Sequence, residues 1–316
     1  MTSPEDVEIT LAYESQRAVV SPTGASLRRY YEEDEGVETD IVWGYSGGAN
    51  KKGGQGDVLI PFPSRVKDGR YAFGGRTHQM AINDKEGPNA IHGFLRSVEW
   101  GSDQQTGSDV RFHTRIRESE YARKGYPFSL DVDLSYRLSD SGLTCAFEIR
   151  NTGATDAPVG VGFHPYFTVG TETVDETEAL IPASQFLEFE TTLVPTGSLL
   201  PAEGTPYDFR RLRRVGDTRF NHCYTDVIRD GRGIAEAKLR DPATGRTVTV
   251  WMDESFRYVV VYTGDAIPEP HARRALAIEP MTCATDAFNH PEWGLVTLAP
   301  GQILSGSWGV TIPSDK

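Results

Sequence analysis

The fold class is decided by residues 129–153, whose sequence is SLDVDLSYRLSDSGLTCAFEIRNTG. Apolar and polar side chains alternate on both sides of SDSG, residues 139–142, which has the composition of a tight turn. A period of two places one set of side chains on one face of a β-strand. The stretch therefore predicts an antiparallel hairpin with one buried face. The predicted buried residues are Leu130, Val132, Leu134, Tyr136, Leu138, Leu143, Cys145, Phe147 and Ile149.

The rest of the chain repeats this signature between turns rich in glycine and proline, of which it has 32 and 19. Residues 237–252, AKLRDPATGRTVTVWM, predict a second hairpin, and residues 258–264, YVVVYTG, predict a buried strand. Residues 294–312 indicate a strand, a turn and a strand. Helical periodicity is weak, with short helical turns expected near SQFLEF, residues 184–189. These patterns predict an all-β protein, a large antiparallel β-sandwich that forms a single domain over residues 1–316.

The composition limits the partners and the compartment. The chain has 45 acidic and 32 basic side chains, and the formal net charge of -13 argues against binding to nucleic acid or an anionic membrane. The N-terminus, MTSPEDVEIT, lacks the positive start and apolar core of a signal peptide, and no stretch reaches the length of a membrane helix. We therefore expect a soluble, cytoplasmic protein. Its sparse cysteines, without CxxC spacing, are Cys145, Cys223 and Cys283.

Two histidines lie in segments that are too unusual to be simple strands of a sandwich. His92 lies between apolar neighbours in GPNAIHGFLRSVEW, residues 87–100. His164 lies in VGVGFHPYFTVG, residues 159–170, where the following proline forbids further strand pairing. Taken singly, each histidine is more often a packed core residue than a functional one.

An arginine and a glutamate complete the set of candidates. Arg65 follows the prolines of VLIPFPSRVKDGRYAFGG, residues 58–75, and its guanidinium would donate forked hydrogen bonds from the mouth of a loop. Taken alone, a surface salt bridge is the more common explanation for such an arginine. Glu279 ends the apolar run ALAI, where a carboxylate is costly unless it is paired or functional. A weaker signal is FNHCYTDV, residues 220–227, which contains Asn221.

Three other patterns in the sequence concern a metal site, a serine nucleophile and a phosphate-binding loop. No histidines have HxxxH or HxH spacing, but separate strands could bring His92, His164 and Glu279 together as a two-histidine, one-carboxylate metal site. GYSGG, residues 44–48, lacks the strand-then-helix context of a serine nucleophile. GGANKKGGQG, residues 47–56, lacks the phosphate-loop pattern, and we expect it to be a mobile loop.

Taken in order, these segments resemble the aldose 1-epimerase (galactose mutarotase) family over nearly the whole chain. The most specific matches are HGF, within NAIHGFLRSVEW, and GFHPYF. GASLRRYY, the arginine-bearing loop, AIEPMT followed by DAFN, and LAPGQ match in the same order. The resemblance implies a large antiparallel β-sandwich, sometimes called a supersandwich, with the site on a concave sheet.

The resemblance also implies roles for individual residues. Glu279 would be the general base, His164 the general acid, and His92 a positioning and charge-stabilising partner. Asn221 stands where many family members have an aspartate that binds sugar hydroxyls, so an amide replaces a charged acceptor. The implied substrate-binding residues are Arg65, Asn89 and Asn221.

The implied reaction interconverts the α and β anomers of a free monosaccharide by acid–base ring opening and reclosure, without a metal or a cofactor. One alternative is a sugar-binding protein without turnover. Another is an epimerase of hexose 6-phosphates, for which Arg96 or RRLRR, residues 210–214, would supply basic side chains. A third is a polysaccharide lyase or metal enzyme on a related sandwich. The sequence does not decide whether the aldose is neutral, phosphorylated, acidic or sulfonated. We expect the protein to be a monomer or a weak homodimer.

Overall fold

The strands that the alternating patterns predict are present in the computed structural model of the chain, which describes residues 8–104 and 106–311. Residues 1–7, part of the N-terminus on which the expectation about a signal peptide rests, lie outside the described residues. The strands, numbered in chain order, are β1 (Ile9–Tyr13), β2 (Gln16–Ser21), β3 (Ser26–Asp34), β4 (Val37–Val42), β5 (Val58–Leu59), β6 (Arg65–Val66), β7 (Arg70–Phe73), β8 (Arg76–Gln79), β9 (Ala90–Ile91), β10 (Gly101–Gln104), β11 (Asp109–Ile116), β12 (Leu130–Ser139), β13 (Gly142–Asn151), β14 (Ala157–Val159), β15 (Gly162–Phe163), β16 (Tyr166–Phe167), β17 (Glu178–Leu180), β18 (Ala183–Phe189), β19 (Pro195–Pro201), β20 (Arg213–Arg214), β21 (Asn221–Val227), β22 (Ala235–Arg240), β23 (Thr247–Met252), β24 (Tyr258–Tyr262), β25 (Leu276–Met281), β26 (Val296–Leu298) and β27 (Ile303–Thr311).

Two large antiparallel sheets form a sandwich. The first has twelve strands, in the order β1-β2-β3-β4-β16-β25-β24-β21-β18-β19, with β15 paired to both β25 and β5. The second has nine strands, in the order β10-β11-β12-β13-β27-β23-β22-β17-β20. One hydrophobic cluster takes Val20 from the first sheet and Leu134 from the second, and it fills the space between them. The predicted fold class, a large antiparallel β-sandwich, is confirmed.

The hairpin predicted at residues 129–153 consists of β12 and β13. Leu134 lies opposite Phe147 and Tyr136 lies opposite Cys145, and the apolar side chains of both strands are buried. A slip of one residue would turn this apolar set to the other face, so the alternation fixes the register. β13 then pairs with β27, where Trp308 lies opposite Cys145.

The prediction of a helical turn near residues 184–189 is wrong, because these residues belong to β18. Phe186 is buried and lies opposite Tyr224 of β21, and β18 also pairs with β19. Strand partners on both sides satisfy the backbone and override a weak local pattern. The predicted hairpin of β22 and β23 and the buried strand β24 are present. LAPGQ, residues 298–302, is the turn that leads into β27.

Within the described residues, helical structure is confined to short segments. No helix of the residues that the structure describes is long and apolar enough to cross a membrane. The three cysteines are buried and form no disulfide. The helical segments are α1 (Glu118–Tyr121) and the 3₁₀ turns Gly48–Asn50, Lys67–Gly69, Ala122–Lys124, Val174–Glu176 and Pro291–Trp293.

Four neighbouring strands of the twelve-stranded sheet, β16, β25, β24 and β21, bring distant parts of the chain together. Glu279 of β25 lies opposite Val260 of β24, and Asn221 of β21 lies opposite Tyr262 of β24. His164 lies between β15 and β16, and both of these strands pair with β25. The sheet order therefore places Glu279 between His164 and Asn221.

Candidate active site

A cavity of about 660 Å³ brings together five of the six residues that the sequence predicted to form the site. A volume in this range accommodates a small-molecule ligand such as a sugar. Asn89, the sixth residue, does not line it. The five predicted residues that line the cavity are Arg65, His92, His164, Asn221 and Glu279.

Glu279 reaches the cavity from a strand that is buried along its whole length. All six residues of β25 are buried, and Glu279 is 2% exposed. Its Oε2 atom has no hydrogen-bond partner within the described part of the chain. A buried oxygen without a partner costs stability, so packing alone does not account for this carboxyl group.

His164 is held next to this carboxyl group by its neighbours. Its backbone N–H donates a hydrogen bond to the carbonyl of Asp57, and its ring stacks on Tyr166 with centroids 5.1 Å apart. Tyr166 is fixed in turn, because its hydroxyl donates to the carbonyl of Gly53 at 2.8 Å. In this orientation, Nε2 of His164 lies 3.4 Å from Oε1 of Glu279.

His92 is aimed at the same place by an unusual backbone conformation. Its φ is +65°, and the next residue, Gly93, has a φ of +66°. A Cβ atom at Gly93 would lie 2.1 Å from the carbonyl oxygen of Ile60, so only glycine fits. The His92 ring packs edge-on against His164 at 5.4 Å, and its Nδ1 atom has no partner among the described residues. The glycine of the HGF motif is thus required by the turn.

Arg65 forms a buried ion pair within the cavity wall. Its Nε donates to Oδ2 of Asp84 at 2.7 Å, and its Nη2 donates to Oε2 of Glu86 at 2.8 Å. Asp84 is buried, whereas Glu86 is nearly half exposed. The alternative of a surface salt bridge does not describe Arg65, because its own side chain is 7% exposed.

Asn89, which the resemblance implies to be a substrate-binding residue, does not line the cavity. It is fully buried outside the cavity, and its Nδ2 donates to Oδ2 of Asp84 and to the carbonyl of Thr192. Because the amide is turned towards Asp84, Asn89 positions the carboxylate that holds Arg65. The structure thus places Asn89 against Asp84, outside the cavity lining.

Burial shifts the proton affinities of Glu279 and His164 in opposite directions. It raises the pKa of Glu279 well above its ordinary value, an effect that Arg65 opposes and Asp57 reinforces. It lowers the pKa of His164 to about 3. Desolvation therefore favours a carboxylic acid beside a neutral imidazole in the free protein, rather than the ionised pair that ordinary pKa values would give.

The same electrostatic field acts on both histidines. Burial lowers the pKa of His92, and the neighbouring His164 adds to the shift. Lys51 and Arg96 also lower the pKa of both histidines, so these cations lie close to the predicted catalytic groups.

The sequence interpretation missed a wall of this cavity. GGANKKGGQG was expected to be a mobile loop, but Lys51, Lys52, Gly53 and Gly54 line the cavity. Glycine-rich loops have no periodicity, so their place in a fold cannot be predicted from spacing. The basic residues 210–214 do not line it, since most of them are exposed at the short edge strand β20.

Metal coordination was the rival use of the histidines and the glutamate. Within residues 8–104 and 106–311, no group of three His, Cys, Asp or Glu side chains is arranged to hold a metal ion. The contact that the structure does provide is the pair of His164 and Glu279.

Comparison with known proteins identifies the family of the chain. A family model for aldose 1-epimerases matches residues 8–310. The chain is 31% identical over 235 residues to the uncharacterized protein YihR of Escherichia coli K12, covering 74% of this chain and 71% of YihR. It is 25% identical over 295 residues to the galactose mutarotase of Mus musculus, covering 86% and 83% of the two chains. The chain therefore belongs to the aldose 1-epimerase family.

The fold agrees with this assignment. The solved structure of the GalM/aldose epimerase homologue from C. elegans matches with a TM-score of 0.84, over 97% of this chain and 98% of that one. The two sequences are 21% identical, so the likeness shows the fold alone. The sandwich is a galactose mutarotase-like fold.

Proposed function

We propose that the protein is a mutarotase, which interconverts the α and β anomers of a free aldose. The observation that carries the proposal is the 3.4 Å contact between Nε2 of His164 and Oε1 of Glu279 in a cavity of sugar size. Membership of the aldose 1-epimerase family supports carbohydrate epimerase chemistry. A protein that only binds sugar needs no buried acid–base pair.

The reaction needs one proton donor and one proton acceptor close together, because the C1 hydroxyl and the ring oxygen are bonded to the same carbon. One member of the pair takes the proton of the C1 hydroxyl, and the other gives a proton to the ring oxygen. The bond between C1 and the ring oxygen breaks as the C1 carbonyl forms. After rotation about the C1–C2 bond, the reverse transfers close the ring on the other face. The net change in protons and electrons is zero.

The other predicted residues have supporting parts in this proposal. His92, packed against His164, holds that ring in place and stabilises charge that develops on the sugar oxygens. Arg65 and Asn221 line the cavity and would bind the remaining hydroxyls. A well-placed group for proton transfer typically contributes about 10²–10⁴-fold to a rate.

Exchange between anomers is the direct test. Two-dimensional NMR exchange of the anomeric protons, on a panel that includes glucose and galactose, should show protein-dependent exchange for at least one aldose. The rate should be unchanged in EDTA, since the proposed steps move only protons. Exchange that EDTA abolishes would favour the metal enzyme, and binding without exchange would favour the non-catalytic alternative.

Variants of the pair test the residue assignment. Glu279→Gln and His164→Asn should each lower kcat by about 10²-fold or more, because each removes one proton-transfer group. Both should keep the wild-type melting temperature. Glu188→Gln and His113→Asn are matched controls, since these exposed residues do not line the cavity. Wild-type rates in both Glu279→Gln and His164→Asn would contradict the assignment.

A further inference from the structure

Residues 47–57, called the lysine loop here, press directly against the predicted acid. A Cβ atom at Gly54 would lie 3.1 Å from Cδ2 of His164, and one at Gly53 would lie 2.7 Å from the hydroxyl oxygen of Tyr166. Both glycines have positive φ, +77° and +55°. Glycine is thus required twice in succession, and the loop carries its lysines to the reacting end of the cavity.

Two cations at this wall share one buried carboxylate. Lys51 pairs with Oδ1 of Asp57, and Nη1 of Arg96 lies 3.4 Å from Oδ2 of the same group. Asp57 is 2% exposed, whereas Lys51 and Arg96 keep 22% and 28% of their side chains exposed. One carboxylate balances one of the two charges, so the group of three has a net charge of about +1 on its cavity side.

Lys52 adds a second excess charge. It also lines the cavity, and its Nζ donates to the carbonyl oxygen of Asn50. Within the described part of the chain it has no carboxylate within ion-pair distance. Cations concentrated at one wall stand out in a chain whose net charge is -13.

The structure provides room for a substituent at this wall. A second cavity of about 310 Å³ shares Lys51, Gly54 and Arg96 with the first, and Asp57 also lines it. Lys51 and Arg96 therefore stand where the two cavities meet. A sugar with its C1 at His164 could direct a charged group towards these side chains without leaving the protein.

We propose that Lys51, Lys52 and Arg96 form an anion subsite, and that the preferred substrate is an aldose with an anionic substituent on a carbon other than C1. The substituent is an oxyanion, a phosphate, a carboxylate or a sulfonate, because charge-assisted hydrogen bonds to such groups match ammonium and guanidinium donors. The substrate part of this proposal rests on the mutarotase function proposed above. The subsite itself does not require turnover.

Binding of unreactive analogues tests the subsite separately from catalysis. 1,5-Anhydroglucitol has no hydroxyl at C1 and cannot mutarotate, and its 6-phosphate differs from it by one anionic group. Calorimetry should give a dissociation constant for the 6-phosphate roughly tenfold or more below that of the neutral compound. The difference should shrink as salt is raised towards 1 M. Equal affinities for the two compounds would overturn the proposal.

Lysine variants test which side chains bind the anionic group. Lys51→Met and Lys52→Met should each lower the affinity for the 6-phosphate severalfold relative to the neutral analogue. Lys67→Met is the matched control, since this half-exposed lysine does not line either cavity. Lys51→Met leaves Asp57 with one cation, so its melting temperature is measured too. Lys52→Met leaves Asp57 untouched and keeps the test valid if Lys51→Met does not fold. An equal loss in Lys67→Met would overturn the assignment.

Anomer exchange then identifies the anion and separates the two proposals. Glucose 6-phosphate, glucuronate and 6-deoxy-6-sulfoglucose are compared with glucose at equal ionic strength, and at least one should have a kcat/KM about tenfold above that of glucose. Faster exchange of glucose than of all three would overturn the anionic substrate and leave the mutarotase proposal standing. Exchange of none of the four, with tighter binding of the anhydroglucitol phosphate, would keep the subsite and count against the mutarotase.

Discussion

Nε2 of His164 lies 3.4 Å from Oε1 of Glu279, and both side chains are less than a tenth exposed. Burial raises the pKa of the carboxyl group and lowers that of the imidazole. The pair therefore holds one proton over a wide pH range, and its apparent pKa values belong to the pair rather than to either residue. Either arrangement of that proton provides one donor and one acceptor.

The pH dependence of mutarotation should follow from this single proton. On the acidic side, activity is lost when the pair binds a second proton, and the lowered pKa of His164, about 3, places this loss far below the ordinary histidine value. On the basic side, activity is lost when the pair releases its proton, and the raised pKa of Glu279 moves this limb above the ordinary glutamate value. We expect kcat/KM, measured by polarimetry from pH 4 to 9, to stay flat from pH 6.5 to 5.

The uncatalysed reaction and its dependence on buffer are subtracted at each pH, and circular dichroism verifies that the protein stays folded. A tenfold fall in kcat/KM for each pH unit below 6.5 would show that the pair binds its second proton near the ordinary histidine value. That result would contradict the shared proton.

The parts of the fold that the sequence predicted are those with long strands buried on one face. Residues 129–153 form two strands of ten residues each, so several periods of alternation are visible. The strands that carry or adjoin Arg65, His92 and His164 are β6, β9, β15 and β16, each two residues long. Two residues show no period, and tertiary contacts decide their conformation. The family resemblance, rather than periodicity, located His92 and His164.

Local sequence patterns did not predict which carboxylates pair with the arginines of the site. Arg65 pairs with a carboxylate 19 residues away, and Arg96 pairs with one 39 residues away. Such pairs form because the fold brings separate loops to one cavity, and nothing in the spacing of the residues predicts them. The placement of Asn89 behind Asp84 has the same origin.

Removal of Arg65 should destabilise the fold as well as the site. Burial raises the pKa of Asp84, but hydrogen bonds from the Glu86 backbone, Asn89 and Arg65 outweigh it and lower the pKa. Arg65→Met leaves this buried carboxylate without its cation, at a cost of about 3 kcal/mol in urea unfolding at pH 7. Because the folded-state pKa is depressed, the stabilisation is present above the ordinary aspartate value and is lost as the pH falls through the folded value.

The double variant Arg65→Met/Asp84→Asn separates the two roles of Arg65. It removes the unpaired charge and should recover most of the lost free energy of unfolding. Sugar affinity should stay low, because the guanidinium is still absent. Full recovery of affinity in the double variant would show that Arg65 has only a structural role.

The two glycines Gly93 and Gly74 allow a matched test of the turn that aims His92. Both have positive φ, +66° and +58°, but a Cβ atom at Gly74 would meet nothing within 4 Å. Gly74→Ala should cost about 1 kcal/mol from backbone strain alone. Gly93→Ala should cost more, about 3 kcal/mol, because the Ile60 carbonyl that it would strike already accepts the Phe94 N–H at 2.8 Å. Equal costs in urea unfolding would refute the steric argument.

Asn221 is an uncharged residue of the cavity lining, and its replacement by a charged one tests the preference for anions. Asn221→Asp places a carboxylate in the cavity lining, where it would repel a substrate anion. We expect the ratio of kcat/KM for the anionic aldose to that for glucose to fall, as measured by NMR exchange. Asn221→Ala removes the amide without adding charge and should leave this ratio close to that of the wild type, although both rates fall. Equal ratios in the Asp and Ala variants would mean that charge at this position does not discriminate between the sugars, because the aspartate is charged and the alanine is not.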